Sequence, residues 1–269
     1  MLGYALKRLL LTLPTLLGVT FLVFATVHLI PGDPAVAMLG TSATAARVAE
    51  LRTELGLDQS LLTQYLIWLG NLLQGDMGQS IAMRGMPVAE LVLQKFANTL
   101  LLAGAALVIC FVGGVMIGTI AALWQYRWVD KAIMFLAQFG ANVPVFWLAI
   151  MLMWIFSLEL GWLPASGMYS LREGPTAGSI LQHLILPAVA TATVSLAVIA
   201  RSTRSTIIDC LNAEFIRTFR AQGIPEWRII AKHVARNILS ALVNVTGLQA
   251  GYLLGGAIFV EVVFTWPGL

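Results

Sequence analysis

The side chains best able to do chemistry in this 269-residue chain are concentrated in one polar stretch, Glu214 to Arg236, EFIRTFRAQGIPEWRIIAKHVAR, set between two long apolar runs. Their chemistry is that of docking: cations, carboxylates and amide groups placed to meet another surface. Bond-making chemistry has no comparable signature. No Gly-x-x-x-x-Gly-Lys phosphate loop is present and no His-Glu-x-x-His pair, and the three histidines lie far apart. Cys110 and Cys210 have no metal-binding or redox spacing; the first reads as a packed thiol and the second as a cytosolic one. Neither an intramembrane carboxylate pair nor a Ser/Lys arrangement points to a protease. An enzyme, a catalytic site and a metal site are therefore not expected.

The stretch itself predicts a helix, a corner and a second helix. Glu214 to Ala221 contains neither Gly nor Pro, Gly223 supplies a left-handed stop, and Pro225 stands where a new helix starts. Beyond it Trp227, Ile230, Val234 and Ile238 recur at helical spacing, with Arg228, Lys232 and Arg236 on another stripe. Two uses fit this pattern: an interfacial helix whose bases touch anionic lipid, or a cytosolic element pushed by a partner.

Composition places the elements that carry this stretch in a bilayer. Hydrophobic residues are 59% of the chain and charged residues 11%, against roughly one-quarter charged in an average soluble domain. The formal charge of +3 is no nucleic-acid signature. Five spans are expected: Leu9 to Ile30, Ala97 to Leu123, Ala132 to Leu158, His183 to Ala200 and Ile238 to Phe264. Lys7 and Arg8 hold the N-terminus in the cytosol, and the run after them is too long for a cleavable signal. From Arg201 to Arg236 seven bases face three acids, which places that segment inside.

Residues 31–95 form the longest polar region, with two more acids than bases, as an outside loop tolerates. Pro31-Gly32-Asp33-Pro34 reads as a turn, and Ala43 to Leu55 and Leu61 to Leu73 as amphipathic helices in a small external domain that caps a channel mouth. His28 reads as an interfacial residue. Gly114 and Gly118 predict close approach of another helix, as do Gly247, Gly251 and Gly255. Gln138, Asn142 and Pro144 within the third span are candidates for lining a pore, with helix–helix hydrogen bonding as the competing use. Tyr126 to Lys131 is a cytosolic loop, Glu159 to Gln182 an external one carrying Arg172 and Glu173, and Glu261 is expected at the outer interface.

RTFRAQGIPEWRIIAKHVARN resembles the cytosolic coupling loop of the inner-membrane permeases of ABC importers for dipeptides, oligopeptides and nickel. Ala221 and Gly223 match its Ala-x-Gly. The Glu-Ala-Ala of other ABC importers falls on Arg217, Thr218 and Phe219; the peptide/nickel branch has Arg-Thr-Ala there, and Phe219 departs from it. PGDPA, LGLDQ, QYL, the Gly-Asp-x-Gly-x-Ser turn, GWLPASG and VEVVFTWPGL resemble the same family, so the likeness covers essentially the whole chain.

The resemblance implies an all-α integral membrane protein, a polytopic helical bundle. It assigns 1–269 as the permease transmembrane domain, 31–95 as an external helical region and 201–236 as the coupling loop. Family proteins continue past Trp-Pro-Gly-Leu with a sixth span; this chain is expected to show five, with Leu269 outside. Arg217, Thr218, Arg220, Ala221, Gly223, Ile224, Pro225, Trp227 and Arg228 are the implied contacts for an ATPase subunit. Implied partners are a second, distinct permease subunit, two ATP-binding subunits that hold ATP and Mg, and an external binding protein, all at a bacterial inner membrane. No cofactor is expected on this chain. Short peptides are the implied cargo, with glutathione-type peptides, nickel or sugars behind them. An ion-coupled secondary transporter is the rival class, and the nearly charge-free span interiors argue against it.

Overall fold

Charge-poor apolar runs punctuated by Gly and Pro leave the backbone one way to satisfy its polar groups in lipid, which is to coil. The computed structural model describes the chain except residues 1, 30, 31, 41, 42, 81, 82, 84, 85 and 173, so the expected roles of Pro31, Arg84 and Glu173 lie outside the described residues. Among the described residues there is no strand, only an isolated bridge between Gln79 and Pro87. Four helices are long and apolar enough to cross a membrane, and a bent pair makes a fifth crossing if counted as one span. The chain divides into two separately compact units, residues 1–93 and 94–269.

In the first unit α1 (Leu2–Leu29) contains the span Leu10–Leu29. The expected turn at Asp33 and Pro34 instead opens a short helix, α2 (Pro34–Leu39). Asp33 caps it by accepting from the Ala35 N–H, and Pro34 fits a first turn that needs no N–H there. Thr44 caps α3 (Ala45–Glu54) and Ser60 caps α4 (Leu61–Leu73), each side chain accepting from the N–H three residues on.

In the second unit the central element is α8 (Ala177–Leu211), with 61% of its most apolar window buried. Against it lie α5 (Val88–Leu123, which enters this unit at Gln94), the pair α6 (Trp128–Asn142) and α7 (Val145–Met153), and α11 (Ala235–Phe264). α5 starts nine residues before the expected span, because no breaker separates Val88 from Ala97. α8 likewise overruns its expected span at both ends. Gly114 and Gly118 do admit a neighbour: a Cβ at Gly114 would lie 2.8 Å from Ile199 Cγ2, and one at Gly118 2.7 Å from Thr203 Cβ.

The third expected span is not one helix. α6 and α7 meet at 101°. Pro144 has no N–H and forces Val143 into extended backbone (φ −72°, ψ 130°), while Asn142 Nδ2 donates to the Gln138 carbonyl one turn back at 2.7 Å. A turn of π-helix, Trp154–Glu159, then ends α7. The seam expected at Gly247, Gly251 and Gly255 is not formed within this chain: among the described residues nothing lies within 4 Å of where their Cβ atoms would be. Gly251 and Gly255 instead line a cleft of about 570 Å³ with Val145, Phe146, Tyr252 and Phe259.

Candidate functional site

The polar stretch folds around its glycine. α9 (Glu214–Ala221) follows α8 after one irregular step at Asn212 and Ala213. Gln222 ends it, and Gly223 takes φ +76°, a left-handed value that costs an L side chain about 1 kcal/mol or more. The Gly223 N–H donates to Arg220 O at 3.0 Å and the Ile224 N–H to Phe219 O at 3.1 Å, the two bonds of a Schellman closure. Phe219 and Ile224 then pack together on the same apolar cluster, as that closure requires. Pro225 precedes α10 (Glu226–Arg228) as its cap residue.

One face of this corner is anchored. Ile216 of α9 is fully buried with Ile207 of α8, Ala122 of α5, and Ile229, Val234, Ile238 and Leu242 beyond the turn. The expected stripe of Trp227, Ile230, Val234 and Ile238 is therefore shifted. Trp227 is 66% exposed and Ile229 fully buried. The cause is a turn of π-helix, Ile229–Val234, whose wider winding puts buried positions five residues apart before the four-residue step to Ile238 resumes. The second helix is not a separate short element either, because helical backbone runs from Glu226 through to Phe264.

The other face is open. Arg217, Thr218, Arg220, Ala221, Gly223, Pro225, Trp227 and Arg228 are all exposed, and Ile224 is half-buried. Arg220 Nε reaches across the turn to Glu226 Oε1 at 2.5 Å, and the Arg228 guanidinium lies 5.3 Å from the Trp227 ring centre. The His233 ring lies tilted against Phe219, 4.2 Å between ring centres, and links α9 to the π turn. The result is a rigid, cation-rich corner with an uncovered surface and a buried root. Such a face suits contact with a complementary surface; among the described residues no three of His, Cys, Asp and Glu gather as metal ligands.

The pore-lining candidates are exposed and sit at the break of the bent pair. Gln138 accepts from the Arg201 guanidinium, the Asn142 side chain donates to the Gln138 carbonyl, and Pro144 makes the corner. Two residues of consequence escaped the sequence reading. Asp130, expected in a loop, is 3% exposed in the first turn of α6, where its carboxylate takes a bidentate pair from Arg204 (2.6 Å to each oxygen) and the Tyr126 N–H. Two polar links, Arg204–Asp130 and Arg201–Gln138, thus join α6 to α8 on the side from which α8 leads into α9. The only sequence signal was an acid four residues after Tyr126 in a short basic loop. Glu261, expected at the interface, is 4% exposed and accepts from the Thr99 hydroxyl at 2.7 Å, because Trp266 to Leu269 fold back over it onto Asn98 and Thr99.

Residues 114–269 match the protein family described as binding-protein-dependent transport system inner membrane component, and residues 1–103 match its N-terminal companion. The chain is 39% identical over 287 residues to the dipeptide transport system permease protein DppB of Alkalihalophilus pseudofirmus, covering all of this chain and 86% of that protein. It is 44% identical to the glutathione transport system permease protein GsiC of Salmonella typhimurium and 42% to GsiC of Escherichia coli, over all of this chain and 84% of each relative.

Proposed function

This chain belongs to the family of binding-protein-dependent transport system inner membrane components, and on that premise we propose that its exposed corner at Gly223 is where ATP-driven force enters it. It is a multi-pass inner-membrane permease subunit of an ABC importer, and neither the family nor its relatives are enzymes. Membership displaces the ion-coupled alternative. In the proposed assembly a second, distinct permease subunit completes the pathway. Two ATP-binding subunits hold ATP and Mg, and an external protein delivers substrate. Short peptides are the cargo, a class that includes both the dipeptides and the glutathione in the relatives' names.

The mechanism follows from where the corner is rooted. Closure of the ATPase subunits pushes the surface of Arg217, Arg220, Ala221, Trp227 and Arg228. Ile216, Phe219 and Ile224 pack against Ile207, Ile229 and Val234, so the push is carried into α8 and α11 rather than absorbed by a loose loop. α8 carries α6 with it through Arg204 and Asp130. The bent pair and α11, which border the cleft, then shift between outward and inward access. Gln138, Asn142 and Pro144 lie at that moving corner and are the proposed pathway residues of α6 and α7.

The observation that supports this reading most is the two-faced corner: an exposed face rich in Arg above a fully buried apolar root. Co-purification in detergent with the ATP-binding subunits encoded beside it, comparing the native chain with Ala221→Arg, tests it. Nothing in α9 or its neighbours encloses Ala221, so the variant is expected to insert normally and to lose the ATPase. Equal recovery of the ATPase with both forms would sink the docking assignment.

A further inference from the structure

The expected external cap contains one helix that does not suit water. α4 carries no charged residue over its 13 positions, Leu61 to Leu73, and it is the one apolar helix of 10–17 residues among the described residues. Its N-terminal end is fixed by polar bonds. Ser60 caps it, and Gln64 donates to the carbonyls of Leu57 and Gln59 while its carbonyl oxygen pairs with His28 Nε2 at 3.1 Å.

The face towards α1 shows how deep the helix lies. Tyr65 is buried, and its hydroxyl meets Thr20 Oγ1 at 2.9 Å and donates to Leu17 O at 3.1 Å. Its ring packs edge-on against Phe21 and Phe24, and Trp68 lies 5.8 Å from Phe24. The contact thus descends α1 from His28 to Leu17. Leu17 lies about 18 Å below Leu29 at 1.5 Å per residue, and Thr20 falls near the middle of the span Leu10–Leu29. A helix bonded there lies below the headgroups of a core about 30 Å thick. The polar side chains that face α1 are satisfied by it, as hydrocarbon demands.

The opposite face presents Leu62, Leu66, Ile67 and Leu73, each more than half exposed. Transmembrane helices that pack on one another favour small residues that let backbones approach; a surface of bulky Leu and Ile matches acyl chains better. The α1 span beside it is equally bare, with none of its most apolar window buried. We propose that α4 is a lipid-binding element: it dips into the outer leaflet along α1 and is covered on its outer face by acyl chains. Asn71, Gln74 and Asp76 mark its return to the headgroups. Anchored this way, the region between the first two spans is held at the membrane by apolar contact as well as by its ends.

The test is site-directed spin labelling of the assembled transporter in phosphatidylethanolamine/phosphatidylglycerol vesicles. The background is Cys110→Ala and Cys210→Ala, with uptake confirmed. Nitroxides are placed at Leu66→Cys and, independently, Leu62→Cys, with exposed Glu50→Cys as the aqueous control. Collision rates with dissolved oxygen exceeding those with a water-soluble nickel chelate at 62 and 66, and the reverse order at 50, are expected. Nickel-chelate collisions at 62 and 66 equal to those at 50 would overturn the proposal by placing the face in water. Low collision rates with both reagents would also overturn it, because the face would then be covered by protein.

Discussion

Gly223 shows how one residue decides the shape of the candidate site. Its φ of +76° is sterically unfavourable for any residue with a Cβ, yet nothing lies within 4 Å of where that Cβ would be. Substitution is therefore opposed by the backbone alone. Gly223→Ala is expected to cost about 1 kcal/mol at the turn, reduce uptake and leave the amount of protein in the membrane unchanged. Gly223→Pro also removes the N–H that closes on Arg220 O, and cannot adopt a positive φ, so ATP-driven uptake should be abolished. Radiolabelled peptide uptake into proteoliposomes, normalised to inserted protein, reads both. Native uptake by Gly223→Pro would contradict the turn's role. Trp227 carries the companion lesson. A helical wheel puts it inside, but the π turn that follows buries Ile229 and leaves the indole on the open face beside Arg228.

At the scale of elements, the links between α6 and α8 are the feature most open to measurement. Asp130 is buried while its partner Arg204 is about a quarter exposed, so removing the cation alone leaves a carboxylate with little water to turn to. Breaking such a pair from one side costs on the order of 3 kcal/mol, and replacing both partners costs less. Arg204→Gln is thus expected to lower the thermal midpoint in detergent more than Arg204→Gln with Asp130→Asn. If the double variant is the less stable, the pair is not what joins these helices. Both variants should also hydrolyse more ATP per peptide transported than the native chain, since α6 would no longer follow α8. Elements with local determinants were legible in advance: Leu61–Leu73 coincides with its expected limits and α9 ends at Ala221 as expected, because Ser60 caps the one and Gly223 closes the other.

For the molecule as a whole, the distribution of charge predicts an orientation. Seven bases between Arg201 and Arg236 against three acids, with Lys7 and Arg8 ahead of α1, predict that both segments lie on the cytosolic side. Residues 32–80, richer in acids, are expected outside. In the cysteine-replaced background, a membrane-impermeant maleimide added to spheroplasts is expected to label Glu50→Cys at once and Gln222→Cys only after permeabilisation. Labelling of position 222 in intact spheroplasts would invert the topology and with it the coupling assignment. The proposed coupling role depends on that orientation, since only on the cytosolic side could the two-faced corner meet an ATP-driven partner.

The sequence alone determined that this is a helical membrane protein, where its long apolar runs lie, and that a helix ends at Ala221 before a left-handed Gly223. Each of these rests on short-range physics: the length of an apolar run and the conformational range of Gly and Pro. Tertiary structure decided what depends on residues distant in sequence. Gly114 and Gly118 meet α8 while Gly251 and Gly255 open onto a cleft, although both sets carry the same four-residue spacing. Asp130 becomes a buried anchor because Arg204, 74 residues away, is brought to it, and Glu261 is buried because the chain after Phe264 folds back onto Asn98 and Thr99. Pro144 stood within one expected span, and the structure breaks that span there into α6 and α7, which meet at 101°. A residue's own neighbours in sequence encode its backbone; its partners across the bundle decide whether the same side chain is surface, seam or core.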